Sequence, residues 1–267
     1  MGCVPAGHAT RNTQHGAAME LKLAHLTASD VLDGGYDKAA LPVGATEYHG
    51  PHLPFGTDSI AAETLARRFA ADLGGMLVLP TIEYGVSPHH MSFPWTLSIR
   101  PETLTAIVVE VGESLLRHGI RKLLVVTAHD GNPAPVENAC RILHDRHGLH
   151  VAMFSGWQGR SRALLASAGR VIDLDHGGQS ETSMVLFARP ELAHPERSTD
   201  PPREPGAPPV RVFGHFGQLA PDGYSGRASQ GTAEEGQAIV DALAAEVVPF
   251  LRRLDEHGWQ PGPWIGL

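Results

Sequence analysis

Short apolar runs alternate along the chain with longer stretches whose apolar residues recur at helical spacing. The runs predict four strands: residues 39–45, 76–82 (MLVLPTI), 121–127 (RKLLVVT) and 150–155 (HVAMFS). The run at 121–127 has no polar side, which suits the centre of a parallel sheet. Between the strands, Ile60, Ala61, Thr64, Leu65 and Phe69 predict a helix over 58–73, with Thr57 as its cap. Further helices are predicted at 101–119, with Pro101 in the first turn and Gly119 at the end, at 134–146 and at 158–168. Another begins in SETSMVLFA, at residues 180–188. Thr232 and Glu235 read as a capping box that opens a final helix to about His257, with Pro249 expected to kink or interrupt it. Residues 19–35 predict a short helix or arm, and 189–212, rich in proline and charge, a long surface loop. No internal repeat is visible. Strands alternating with helices predict an α/β fold, a three-layer α/β/α sandwich with a mostly parallel sheet.

Composition narrows the picture. A chain of 267 residues, 42% hydrophobic, can build one sizeable core, so residues 19–267 are expected to form a single domain. Residues 1–18 are expected to be a disordered extension, with Met19 a possible alternative start. The net charge is −8 and there is no basic run, which argues against a nucleic-acid partner. No apolar run approaches a membrane span, and the first residues lack the apolar core of a signal peptide. Ala6 removes the myristoylation pattern that Gly2 invites. The two cysteines, Cys3 and Cys140, are not expected to pair, which fits a cytoplasmic location. The one excess is histidine, at 16 residues.

The densest chemistry lies in residues 40–58, ALPVGATEYHGPHLPFGTD. An apolar strand there runs into a polar loop carrying Glu47, His49, His52 and Asp58. Glu47 and His49 are two apart, so an extended backbone points them the same way. Asp58 falls in the first turn of a helix, where the macrodipole favours a carboxylate. Three more polar clusters follow predicted strands or open helices: SPHHMSFPWT at 87–96, His129-Asp130-Gly131-Asn132, and the stretch with Asp173, Asp175, His176 and Glu181. In a parallel α/β sheet the loops after the strands share one edge, so these clusters can converge. Carboxylates and imidazoles together suit zinc, manganese, iron or cobalt.

At these residues the chain resembles the creatininase (creatinine amidohydrolase) family, over roughly residues 38–258. The resemblance rests on E-x-H-G-x-H-L-P at 47–54 followed by Asp58, and on H-H-M-S-F-P at 89–94. It rests also on His129 followed by Gly131-Asn132, on H-G-G-x-x-E-T-S at 176–183, and on the pattern at 214–236. It implies two divalent metal ions per chain, most simply zinc or manganese, and hydrolysis of an amide-type C–N bond of a small polar substrate by a bridging hydroxide. Glu47, Asp58 and His129 would hold one ion, and His49 and Asp58 the other. Creatininase carries a glutamate two residues after the third-motif histidine; that position is Gly131 here, and Glu181 is expected to complete the second set instead. His176 matches the family's catalytic histidine, with Asp173 to orient it or to bind substrate. His52 and Asn132 are expected to support the ligands from outside the ligand set.

Trp157, Trp95, His90 and Asp130 are expected to contact the substrate. Trp157 stands where creatininase has a flap tryptophan, a second family tryptophan is Ile172 here, and Trp95 replaces a usual glycine. Creatinine is therefore not the expected substrate. A biosynthetic or natural-product role fits the resemblance, with hydrolysis of a lactone or C–C bond, or metal binding without catalysis, as alternatives. A homo-oligomer, often a hexamer in the family, is also implied, with 84–96 and 195–212 as candidate contact regions.

Overall fold

Alternation within the strands decides the layers. The structure, a computed structural model, describes residues 21–173, 175–202, 209–210 and 212–265. The expected extension at 1–18 and Cys3 lie outside them. Strands β1 (Lys38–Val43), β2 (Met76–Val78), β3 (Lys122–Thr127) and β4 (His150–Phe154) pair in the order β2-β1-β3-β4, all parallel. Ala40, Leu124 and Val126 point to one side of the sheet, where they meet Leu65, Phe69, Ile239 and Leu243. Those residues belong to α2 (Thr57–Leu73) and α7 (Ala233–Glu256), joined on that face by α5 (Trp157–Ser167) and α6 (Gln179–Ala188). The intervening Leu41, Val43, Leu123 and Val125 point the other way, onto Leu104 and Val108 of α3 (Pro101–Arg117) and Val136 and Leu143 of α4 (Pro133–His147). Central strands buried on both faces are what a parallel sheet requires, and the expected three layers are present. Among the described residues, no helix is long and apolar enough to cross a membrane.

Several local expectations are corrected. β2 ends at Val78: Leu79 N still donates to Ala40 O at 2.9 Å, but Pro80 has no N–H to continue the ladder, and contact resumes where Ile82 N donates to Pro42 O at 3.0 Å. Thr57 does not cap α2: its hydroxyl donates to Pro54 O at 2.7 Å, and Gly56 takes the cap position. Thr232 caps α7 by accepting from Glu235 N at 3.1 Å, but the Glu235 carboxylate turns instead to Gln179 Nε2 and Ser183 Oγ. Only half of the expected box is formed. Pro249 does not interrupt α7. The helix at the start, α1 (Ala28–Gly34), opens with a capping box between Thr27 and Asp30.

This framework sets where chemistry can gather. Val43 and Thr127 are in register, so β1 and β3 end side by side and release their loops at one place. Gly44 brings the first turn of α2 against that place: a Cβ at Gly44 would lie 2.4 Å from Ser59 Cα. Asp58 is thereby delivered to the strand ends. α6 packs on α2 and α7 and delivers its own first turn to the same point.

Candidate metal centre and active site

Three histidines at the strand ends each spend one ring nitrogen on a backbone carbonyl. His49 Nδ1 lies 3.0 Å from Glu47 O, His129 Nε2 3.0 Å from Val86 O, and His176 Nε2 2.9 Å from Tyr48 O. A carbonyl only accepts, so each of those nitrogens carries the proton and the other keeps its lone pair. The three free nitrogens converge on shared carboxylates. His129 Nδ1 stands 3.4 Å from Glu47 Oε1 and 3.3 Å from Asp58 Oδ2. His49 Nε2 stands 3.6 Å from Asp58 Oδ1 and 3.6 Å from Glu181 Oε2. His176 Nδ1 is 3.7 Å from Glu47 Oε1. Asp58 thus offers one oxygen to each side, between a Glu47/His129 set and a His49/Glu181 set. Glu181, in the first turn of α6, is steadied by Gly177 N at 2.7 Å.

Glu47, His49, Asp58, His129 and Glu181 are all buried, and Glu47 Oε2, His49 Nε2 and Asp58 Oδ2 have no hydrogen-bond partner. Buried polar atoms without partners are costly, and lone pairs aimed at carboxylates repel unless a cation stands between them. The donor set therefore fits divalent metal. Protonation equilibria say the same. Burial opposes charge on His49, but Asp58 and Glu181 outweigh it and push its pKa up to about 10. His129 is likewise raised, by Glu47 and Asp58 against burial. Without metal, protons take the place of the missing cations. Glu181 moves the other way for an acid, up to about 8, through burial and the nearby Asp58, with His49 opposing. His176 drops to about 4 through burial and the adjacent His49, so its ring is neutral.

Beside the centre lies a cavity of about 190 Å³. His90 and Asp130 both line it, along with His89, Gln158 and Phe216, which the sequence did not single out. His90 is buried, packs its ring 4.5 Å from Phe216 and 4.3 Å from His176, and sits 3.8 Å from Glu47 Oε1. Glu47, His90 and His176 also cluster closely enough to be potential ligands, as do His49, His176 and Glu181. His89 stacks parallel to His129 at 6.0 Å. His89 adjoins His90 in the same motif, which is the one signal that pointed to it. Phe216 lies in the 214–236 pattern that carries the resemblance, whereas Gln158 carried no signal beyond lying near a strand end.

Three expected site residues fall elsewhere. Trp157 is 2% exposed and belongs to the core under the sheet, its Nε1 donating to Ala128 O at 3.3 Å. Helix α5 begins at Trp157 itself, which turns the ring inward rather than over the cavity. Trp95 is 81% exposed with φ +60, in the left-handed region that its usual glycine tolerates, and does not line the cavity. Asp173 is engaged by Arg227 Nε at 2.7 Å and does not line it either. His52 Nε2 donates to Gly177 O at 2.8 Å, which ties the first motif loop to the H-G-G turn. Asn132 accepts from Val86 N at 3.0 Å and donates to Gly44 O at 2.9 Å, clamping three segments behind the ligands.

Gly131 is where creatininase has its extra glutamate. A Cβ there would lie 1.9 Å from Val86 O and 2.6 Å from His129 Nε2. This backbone has no room for a side chain at 131, whatever its chemistry. The Glu181 carboxylate, 3.6 Å from His49, stands at the second set instead.

The family model for creatininase, creatinine amidohydrolase, matches residues 24–251. The chain is 31% identical to the mycofactocin precursor peptide peptidase of Mycobacterium ulcerans, over 89% of this chain and 91% of that protein. It is 29% identical to the creatinine amidohydrolase of Pseudomonas putida, over 79% and 87%. A solved manganese creatininase superposes with a TM-score of 0.74 at 27% identity, covering 88% of this chain and 98% of that one.

Proposed function

The chain belongs to the creatininase family, a family of hydrolases acting on amide-type C–N bonds, and from that premise we propose that it holds two divalent ions and cleaves an amide of a small polar molecule or of a peptide end. The observation that carries this reading is the paired donor set. Asp58 turns one oxygen toward His129 and the other toward His49, and each histidine's free nitrogen is fixed by a carbonyl behind it. Glu47, Asp58 and His129 would hold one ion and His49, Asp58 and Glu181 the other. Manganese and zinc both suit these ligands. When bound, the ions activate water near neutral pH and polarise the scissile carbonyl.

The chain's own residues do the rest. His176 is fixed by Tyr48 O and presents a bare Nδ1 beside the Glu47 carboxylate. Its lowered pKa keeps it neutral, so it takes a proton from the attacking water and passes it to the departing nitrogen. The cavity volume, about 190 Å³, is below the roughly 300 Å³ at which drug-sized pockets begin, so it takes a small molecule or the last residues of a longer one. The peptide-cleaving relative supports the second of these. Burial of Trp157 in the core supports a substrate other than creatinine.

Metal content by plasma mass spectrometry and turnover of short amides, in the parent and in His176→Ala, test the reading together. The expected result is about two ions per chain in both proteins, with turnover lost in the variant by a factor of roughly 10² or more. Full turnover in H176A would remove His176 from the chemistry. A chain that takes up no ion from zinc or manganese would remove the metal centre altogether.

A further inference from the structure

We propose that Asp130 is the specificity-determining residue of the cavity, and that it selects amides whose other end carries a cation, such as an ammonium, amidinium or guanidinium group. The inference rests on the amidohydrolase reading above and adds the substrate's charge to it. Once the ligands and His176 are set aside, the cavity wall consists of His89, His90, Ala128, Asp130, Gln158 and Phe216. None of the described lining residues is lysine or arginine. Glu47, Asp58 and Glu181 would answer two divalent ions to within one charge. The Asp130 carboxylate is different: among the described residues it has no hydrogen bond and no ion pair, whereas Asp173 is engaged by Arg227. Asp130 is thus the one carboxylate on the wall without a hydrogen bond or an ion pair among the described residues.

The rest of the wall suits the same ligand. His90 and Phe216 form an aromatic surface at 4.5 Å, and His89 lies parallel to His129. Aromatic faces attract cations and offer nothing to a carboxylate. Gln158 Nε2 leans on Ser180 Oγ at 3.4 Å, so its amide is held at the wall rather than free to swing away. Asp130 follows ligand His129 directly, with α-carbons about 3.8 Å apart, so the cation and the scissile carbonyl are separated by only a few bonds. A short, positively charged amide spans both, and an anionic one meets a carboxylate of its own sign at the open side of the cavity.

The test uses the metal-loaded enzyme and three amides of nearly equal size: β-alaninamide, cationic; butanamide, neutral; and succinamate, anionic. Thermal-shift titration reads binding whether or not the amide is cleaved, and product formation is read separately. The expected order is β-alaninamide, then butanamide, then succinamate, with about tenfold or more between the first two. In Asp130→Asn the ratio of the first two falls to about unity, and in Asp130→Glu, which keeps the charge, the preference for β-alaninamide persists; metal content is checked in each. A parent enzyme without charge preference, or a preference that survives D130N, overturns the proposal. If the amides bind in the expected order and none is cleaved, Asp130's role stands and the amidohydrolase reading falls. If amides are cleaved without regard to charge, the reverse holds.

Discussion

Replacing Gly131 with alanine probes the centre through a single methyl group. The glycine is not in the left-handed region, so the substitution adds no conformational strain, only volume. The new Cβ would sit 1.9 Å from Val86 O, a backbone atom that cannot rotate out of the way as a side chain could. To reach ordinary van der Waals separation the 86–87 and 129–132 segments must part by about 1.5 Å. That motion breaks the 3.0 Å hydrogen bond from His129 Nε2 to Val86 O and stretches the 3.0 Å bond from Val86 N to Asn132. Overpacking of this kind costs about 1–3 kcal/mol, a fall of roughly 3–9 °C in Tm for a domain of this size. The ligand loses the contact that aims its Nδ1, so metal affinity at the Glu47/Asp58/His129 set should drop about 10- to 100-fold. Differential scanning fluorimetry and metal titration against a chelator measure the two effects. Gly159→Ala in α5 is the control, because nothing lies within 4 Å of its Cβ; there alanine should stabilise by about 0.5–1 kcal/mol. A G131A protein that melts with the parent and holds both ions at parental affinity would refute the reasoning. Gly131→Glu is expected to disrupt the centre rather than add a ligand to it.

Other consequences follow from the same contacts. In the metal-free chain His49 keeps its proton up to about 10 and Glu181 up to about 8, so metal must displace protons at neutral pH and its affinity should rise as pH rises. With His129 raised as well, calorimetry in buffers of different ionisation enthalpy should find roughly two to three protons released per chain at neutral pH, and a release of none would contradict the assigned ligands. At the other end of the sheet, Asp255 accepts from Lys122 at 2.9 Å and from Trp259 Nε1 at 3.0 Å, and lies 3.4 Å from the buried Lys38. Asp255→Ala should therefore cost about 1–2 kcal/mol, seen as a Tm lower by roughly 3–6 °C with metal content unchanged. Trp95→Gly relieves a left-handed tryptophan that buries almost nothing, and should raise Tm by roughly 2–4 °C; a fall would show that the indole makes a stabilising contact.

The layers and the convergence of four polar clusters were legible because both depend on local pattern. Apolar runs mark strands, and a parallel sheet sends the loops after its strands to one edge. Glu47, His49, Asp58, His129, His176 and Glu181 are brought together on that logic. What escaped depends on partners distant in sequence or on backbone shape. Asp173 reads as a neighbour of His176 until Arg227, 54 positions away, engages it. Trp157 reads equally well as a flap or as core, and the choice is made by where α5 begins. Gly131 reads as a missing ligand, whereas the structure shows a position too close to Val86 O for any side chain.

The histidines show most clearly where sequence reading stops. Which nitrogen of each ring faces the carboxylates is set by the carbonyls of Glu47, Tyr48 and Val86. Those acceptors are backbone atoms, present at every residue and therefore invisible in a motif. Two of them, Glu47 O and Tyr48 O, lie within the first motif itself, so the loop that supplies ligands also orients His49 and His176. The third belongs to the loop that bears His89 and His90, and its distance from His129 depends on Gly131 and on the Asn132 clamp. Through carbonyl geometry the E-x-H motif is thus coupled to His176, and the H-D-G-N motif to the loop of His89 and His90: a change that spares every ligand, such as G131A, is expected to loosen the metal as surely as a change to a ligand's neighbour.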